Sequence, residues 1–166
     1  MKKLLFTAFM LLGFAFNAQS QNLSKNALGL RLGDNDGFGG ELSYQRAISS
    51  DTRLEFDLGW RNNKDYDAIK LAALHQWVWN IDGGFNWYAG VGGGLGSWKT
   101  DSFYINGVKY SGDSNTVLFA AGDVGIEYNF DIPLQLSLDF RPEFYFSDGI
   151  KDDFGPDIAL GIRYKF

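Results

Sequence analysis

The chain has 166 residues, a formal net charge of −5, 45% hydrophobic and 17% aromatic residues, 21 glycines, three prolines and no cysteine. That composition excludes a disordered or collagen-like chain, a disulfide framework, a thiolate metal site and a cysteine nucleophile. A single histidine, His75, removes a multi-histidine metal centre, and the acidic balance argues against nucleic acid as a partner.

Residues 1–20 have the three parts of a secretory signal. Lys2 and Lys3 open it, an uncharged and mostly apolar run follows from Leu4 to Phe16, and Asn17, Ala18, Gln19 and Ser20 form a polar exit. Cleavage is expected after Ser20, leaving 21–166 as one domain and taking the charge from −5 to −7 with the loss of the two lysines. The run is too short for the ~20 apolar residues of a spanning helix, and no cysteine follows to carry a lipid. No later stretch reaches that length either, so the mature chain meets a membrane as a barrel or from the surface.

From residue 26 the sequence alternates with period two, and turn signals divide it into eight strand-like segments. They run near 26–33, 38–48, 52–62, 68–80, 85–98, 116–130, 134–146 and 156–166. Helical periodicity is absent, so the expected class is all-β: an eight-stranded antiparallel up-and-down barrel. In the third segment Leu54, Phe56, Leu58 and Trp60 alternate with Arg53, Glu55, Asp57, Gly59 and Arg61. The fourth puts His75 in the row of Leu71, Ala73, Trp77 and Trp79, unless a bulge intervenes. In the seventh, Leu134, Leu136, Leu138, Phe140, Phe144 and Phe146 oppose Gln135, Ser137, Asp139, Arg141, Glu143 and Tyr145, with Pro142 in the apolar row. In the last, Ile158, Leu160, Ile162, Tyr164 and Phe166 oppose Asp157, Ala159, Gly161, Arg163 and Lys165.

Alternation alone fits a soluble barrel with an apolar inside or a membrane barrel with an apolar outside. Three features favour the second. The polar row is rich in glycine (Gly90, Gly92, Gly94, Gly96) and in near-balanced charge, which suits a narrow lumen. Aromatic residues gather near segment ends, at Trp60, Trp77, Trp79, Trp87, Trp98, Tyr128, Phe130, Tyr164 and Phe166, as in the girdles at membrane interfaces. Tight links near 49–51, 81–84 and 131–133 share one end with both termini, while longer links near 62–68, 99–115 and 147–155 lie at the other. A polar link near 34–37 is short.

The chain also ends on Gly161, Tyr164 and Phe166, in the pattern G-x-x-Y-x-F. This ending resembles the terminal signal by which outer-membrane barrels are recognised for assembly. The stretches NWYAGVGGGLG (86–96) and SLDFRPEF (137–144) resemble segments of the small outer-membrane barrel proteins of the OmpA/OmpX type. The likeness spans essentially the whole mature chain. It implies a location in the bacterial outer membrane, with outer-membrane lipid, lipopolysaccharide and the barrel-assembly machinery as partners, and no cofactor. The peptidoglycan-binding domain of longer relatives does not follow the barrel, so a cell-wall anchor is not expected.

Sites of chemistry are few. The glycine cluster fails the phosphate-loop spacing, because Leu95 stands five residues after Gly90 and no helix follows. Some eight-stranded outer-membrane barrels are lipid A acylases or deacylases that pair a histidine with serine and a carboxylate. In the deacylase type His and Ser stand two apart on one strand, whereas His75 is followed by Trp77. Glu55 and Asp57 read as ion-pair partners of Arg53, Arg61, Arg141 and Arg163 rather than as a glycosidase pair.

The loops are the expected functional surface. Near 99–115 the dipeptide Asn106-Gly107 favours a type I′ turn between Phe103, Tyr104, Ile105 and Val108, Tyr110. A hairpin there either adds a strand to a protein partner or only lengthens the barrel wall. Asp34, Asp36, Asp65, Asp67, Asp101, Asp113, Asp148, Asp152 and Asp153 collect on the same side, offset in part by Lys64, Lys99, Lys109 and Lys151. They read as solvated charge, with cation bridging to lipopolysaccharide phosphate as the alternative. The non-enzymatic barrel thus stands beside two rivals: a lipid A-modifying enzyme, and a secreted soluble barrel holding a small apolar ligand.

Overall fold

Strict alternation of one apolar and one polar row gives a sheet two unlike faces, and closing the sheet puts one of them inside. The computed structural model describes residues 23–33, 39–62, 66–100, 103–105, 108–110, 114–146 and 154–166. They form ten strands: β1 (Asn26–Gly33), β2 (Glu41–Ala47), β3 (Thr52–Asn62), β4 (Tyr66–Asp82), β5 (Phe85–Thr100), β6 (Phe103–Ile105), β7 (Val108–Tyr110), β8 (Ser114–Asn129), β9 (Leu134–Phe146) and β10 (Phe154–Lys165). Eight of them close an antiparallel barrel in the order β1-β10-β9-β8-β5-β4-β3-β2. The seam is the β1–β10 pairing, from Ala27 opposite Lys165 to Gly33 opposite Ala159.

Two strands more than the eight expected come from the long loop. β6 and β7 pair as a separate hairpin, with Phe103 opposite Tyr110 and Ile105 opposite Val108. The hairpin is therefore present, but as its own small sheet and not as a continuation of the wall. β4, β5 and β8 each run about two residues past their expected limits, because partners such as Asp67 with Lys99 and Lys99 with Ser114 carry the ladders on.

The tight turns share one end of the barrel with the terminal residues Asn26 and Phe166, which exchange backbone hydrogen bonds of 3.0 and 2.9 Å. Between β4 and β5 the turn is Gly83-Gly84, with φ of 52° and 94°; both values are positive, as a two-residue type I′ turn demands. The expected leader, most of the acidic loop positions and the expected Asn106-Gly107 turn lie outside the described residues.

The apolar row faces outward. Leu30, Ile158, Leu160 and Ile162 are exposed on the wall, Leu160 at 61%, while Arg31 and Arg163 on the same strands, and Arg141 on β9, are buried inside. This arrangement overturns the soluble-barrel alternative, whose ligand cavity required the Leu and Phe rows to point in.

Candidate functional site

Among the described residues, five buried cations organise the interior. Arg31 reaches Asp139 at 2.5 Å, Asp157 at 2.6 Å and Glu41 at 3.0 Å. Arg53 donates to Glu127 and to Gln76 Oε1, each at 2.6 Å, with its guanidinium 4.8 Å from the centre of the Tyr88 ring. Lys70 bridges both oxygens of Glu143 at 2.6 and 2.8 Å, and the Tyr145 hydroxyl donates to the same carboxylate. Arg141 lies 2.8 Å from both Glu55 and Asp57. Arg163 donates to Ser43 at 2.9 Å and to Ser137 at 2.8 Å.

Amides knit these groups together. Gln45 donates to Glu55 at 2.5 Å, Gln76 to Asp123, and Asn86 to Glu127 at 3.0 Å. Side chains from all eight barrel strands thus meet in one network of hydrogen bonds and ion pairs, joined by Glu41 to Lys70 at 3.8 Å and to Arg141 at 3.7 Å and by Arg163 to Glu55 at 3.3 Å, and its cross-links span up to 126 residues of sequence between Arg31 and Asp157.

The ion-pair expectation holds for Arg141 with Glu55 and Asp57 and for Arg163 with Glu55, but Arg53 takes Glu127 instead, and the Arg61 side chain lies outside the described part. The near-balance of charge needs correction. Among the described residues the buried carboxylates (Glu41, Glu55, Asp57, Asp123, Glu127, Asp139, Glu143, Asp157) outnumber the five cations. Lys70 was hidden in an apolar stretch of sequence; only its even parity with Gln76 marks it as lumenal.

The glycine row of β5 faces the lumen and admits rings. A Cβ on Gly94 would lie 2.6 Å from Phe119 Cζ, and one on Gly96 would lie 2.5 Å from the Trp98 ring. Trp98 therefore belongs to the inner cluster of Ala72, Leu74, Val117, Phe119, Ala121 and Tyr145, not to the outer girdle. It shares the parity of Gly90 to Gly96, and that parity decides its side.

The remaining girdle aromatics with described side chains do lie on the outer rows. Trp79 stacks on Trp87 with centroids 4.3 Å apart, Tyr128 packs between Phe85 and Phe130, and Tyr164 stacks on Phe166 at 6.3 Å. Of the terminal trio, Gly161 alone faces inward, where a Cβ would come within 2.5 Å of Arg163 Nη1. Small size at 161 thus serves the Arg163–Ser137 contact, while Tyr164 and Phe166 present rings on the wall.

His75 also faces outward. The β4 ladder is regular through it, opposite Leu54 and Val91, and the irregularity falls at Asn80/Asp82. Its ring meets Trp77 edge-on at 4.7 Å. No hydroxyl or carboxylate occupies a register position beside it, so the described part offers no serine–histidine–carboxylate arrangement. The candidates Phe103, Tyr104, Ile105, Val108 and Tyr110 are brought together by β6 and β7 as backbone partners.

No protein-family model matches the sequence, and no curated protein does. Solved structures do. Neisserial surface protein A superposes with a TM-score of 0.59 at 14% identity, covering 85% of this chain and 94% of its own. The N-terminal β-barrel domain of Pseudomonas aeruginosa OprF gives 0.59 at 13%, covering 88% and 100%. The attachment invasion locus protein Ail of Yersinia pestis gives 0.57 at 21%, covering 86% and 97%, and it has also been solved with the heparin analogue sucrose octasulfate.

The fold is that of the small transmembrane β-barrels. In a transmembrane barrel the outward Leu, Ile and Phe rows meet lipid, and closure satisfies the backbone without an open sheet edge. The same barrel leaves a cavity of about 170 Å³ at its tight-turn end, between Leu23, Gln45, Arg53, Asn86, Gln135 and Lys165. The Arg53–Gln76–Glu127 contacts cross the lumen beside it.

Proposed function

We propose that this chain is an integral protein of the bacterial outer membrane, exported by a cleaved leader over residues 1–20, that supports envelope integrity or surface contact through its longer loops without catalysing a reaction. The observation that carries the reading is the interior: residues of eight strands are tied into one charged network around Arg31, Arg53 and Arg141, and such a network fills a narrow barrel against solute flow. With tight turns and termini at one end, that end faces the periplasm and the longer loops face outward.

The partners follow from the surfaces. Lipid and lipopolysaccharide meet the apolar wall. The assembly machinery takes the last strand through Gly161, Tyr164 and Phe166, and the β6–β7 hairpin with Tyr104 and Tyr110 offers an edge to a protein partner. A polysulfated ligand of the kind bound to Ail does not suit these loops. Residues 34–40, 63–65, 101–113 and 147–153 carry eight aspartates against three lysines, and like charge repels.

A lipid A-modifying role is disfavoured by the setting of His75 between Leu54 and Val91. The test is gel migration of the envelope fraction, boiled against unboiled, together with planar-bilayer recording. A heat-shifted band and no conductance steps are expected; a soluble, unshifted protein or a steady open channel overturns the reading.

A further inference from the structure

Among the described residues each buried cation has a carboxylate partner, whereas the exposed Arg46 has none. It is the penultimate residue of β2, on the outward row with Leu42 and Tyr44, and it is exposed. Its side-chain partner among the described residues is neutral: Nη1 donates to Asn26 Oδ1 at 3.0 Å, and the Tyr44 hydroxyl donates to the same oxygen at 2.9 Å. The carboxylate of the following turn, Asp51, is taken by Ser49 Oγ at 2.6 Å. Lys25 adds a second exposed positive charge, held against the residue after Arg46 by the Ala47 N to Lys25 O bond of 3.1 Å.

The level of Arg46 on the wall is set by its neighbours. Asn26 pairs with Arg46 on one side and Phe166 on the other, and Tyr44 lies opposite Leu28, which in turn lies opposite Tyr164. Arg46 therefore sits among the aromatic rings that mark a membrane–water interface, where lipid phosphates lie. A guanidinium fixed by one amide keeps Nε and Nη2 in a planar fork, the geometry that matches a phosphate.

We propose that Asn26, Tyr44, Arg46 and Lys25 form a docking site for the phosphate of a phospholipid in the leaflet at the tight-turn end. The acyl chains lie on the adjoining Leu28, Leu54 and Phe56 surface. Asn26 positions the guanidinium and Arg46 binds the phosphate. The inference rests on the barrel being in a bilayer, and heat-shifted migration of each variant in liposomes checks that condition separately.

The experiment is native mass spectrometry of the folded full-length barrel released from phosphatidylglycerol-containing liposomes. Wild type is expected to retain phosphatidylglycerol, Arg46→Gln to retain about fivefold less, as loss of one basic residue at a membrane surface implies, and Arg46→Lys to recover part. Asn26→Ala, which keeps the charge but frees the fork, falls between. Equal retention by wild type and Arg46→Gln overturns the site. Equal retention of neutral diacylglycerol overturns it in favour of chain contacts alone, and equal binding of soluble glycerol phosphate overturns the lipid as occupant.

Discussion

Gly94 on β5 and Phe119 on β8 share one place in the lumen: they are register partners, and a Cβ on the glycine would lie 2.6 Å from Cζ of the ring. Gly125 and Tyr88 repeat the relationship, at 2.5 Å from the ring Cζ. Glycine weakens a strand through its backbone freedom, yet here it makes room for an aromatic plug. Gly94→Val is expected to lower stability by about 1–3 kcal/mol, the usual cost of overpacking a close-packed interior. Combining it with Phe119→Ala is expected to recover only the ring's share of that loss, because the added Cβ also meets the backbone oxygen of Leu71. Urea titration of the barrel in liposomes measures both, with Gly39→Ala, a glycine with nothing within 4 Å of the added Cβ, as the neutral comparison.

Arg141 is the cation for Glu55 and Asp57 at once, with 2.8 Å contacts to each and no solvent exposure. Arg141→Met leaves two buried carboxylates short of a partner, and breaking a buried pair in this way costs about 3–5 kcal/mol. The same titration is expected to show that loss. Adding Asp57→Asn removes one stranded charge, so the double variant is expected to be more stable than Arg141→Met alone. An unchanged unfolding midpoint for Arg141→Met removes Arg141 from the centre of the network.

Much of this was legible in the alternation of the sequence, since parity puts Leu54, Phe56 and Leu58 on one face and Arg53, Glu55 and Asp57 on the other, and the glycine and charge of the second row mark it as the inner one. Trp98 misled because its ring chemistry fits an interface, while its parity with Gly96 places it in the lumen. The partner of Arg53 was not legible. Glu127 is 74 residues away, and which side chains meet across a lumen depends on the stagger of the closed sheet, which no local pattern records. Strand ends were blurred for a related reason: β4 extends from Tyr66 to Asp82 because β5 pairs with it out to both ends, beyond the reach of β3.

His75 gives a test of catalysis with a clear sign. A general base needs a nucleophile or substrate proton within hydrogen-bond reach, and this ring has Trp77 at 4.7 Å and Leu54 and Val91 in its cross-strand positions. The mass profile of lipid A is expected to be the same in cells overproducing wild type, His75→Ala and an empty vector. A new acylation state present with wild type and absent with His75→Ala shows an enzyme instead.

The β8–β9 ladder has a lapse in mid-wall, apart from the irregularity at Asn80/Asp82 near the turn. Pairing runs from Leu118–Phe146 to Ala121–Glu143, skips Gly122 and Asp123, and resumes in the same register at Val124–Phe140. The residues opposite the gap are Arg141 and Pro142, and across the next seam Pro142 faces Pro156. Proline has no N–H to give to a ladder, so two prolines side by side on the lipid-facing row remove donors from neighbouring seams at one level. Opposite Pro142 it is therefore a carbonyl of β8 that loses its donor, and a ladder short of that bond opens locally at lower free energy than the rest of its strand. Hydrogen exchange of the barrel in micelles is therefore expected to show a dip in protection at Gly122–Asp123 relative to Val124–Glu127. Pro142→Ala, which restores a donor, is expected to shallow that dip; uniform protection along β8 in wild type shows that the wall is closed there by other means.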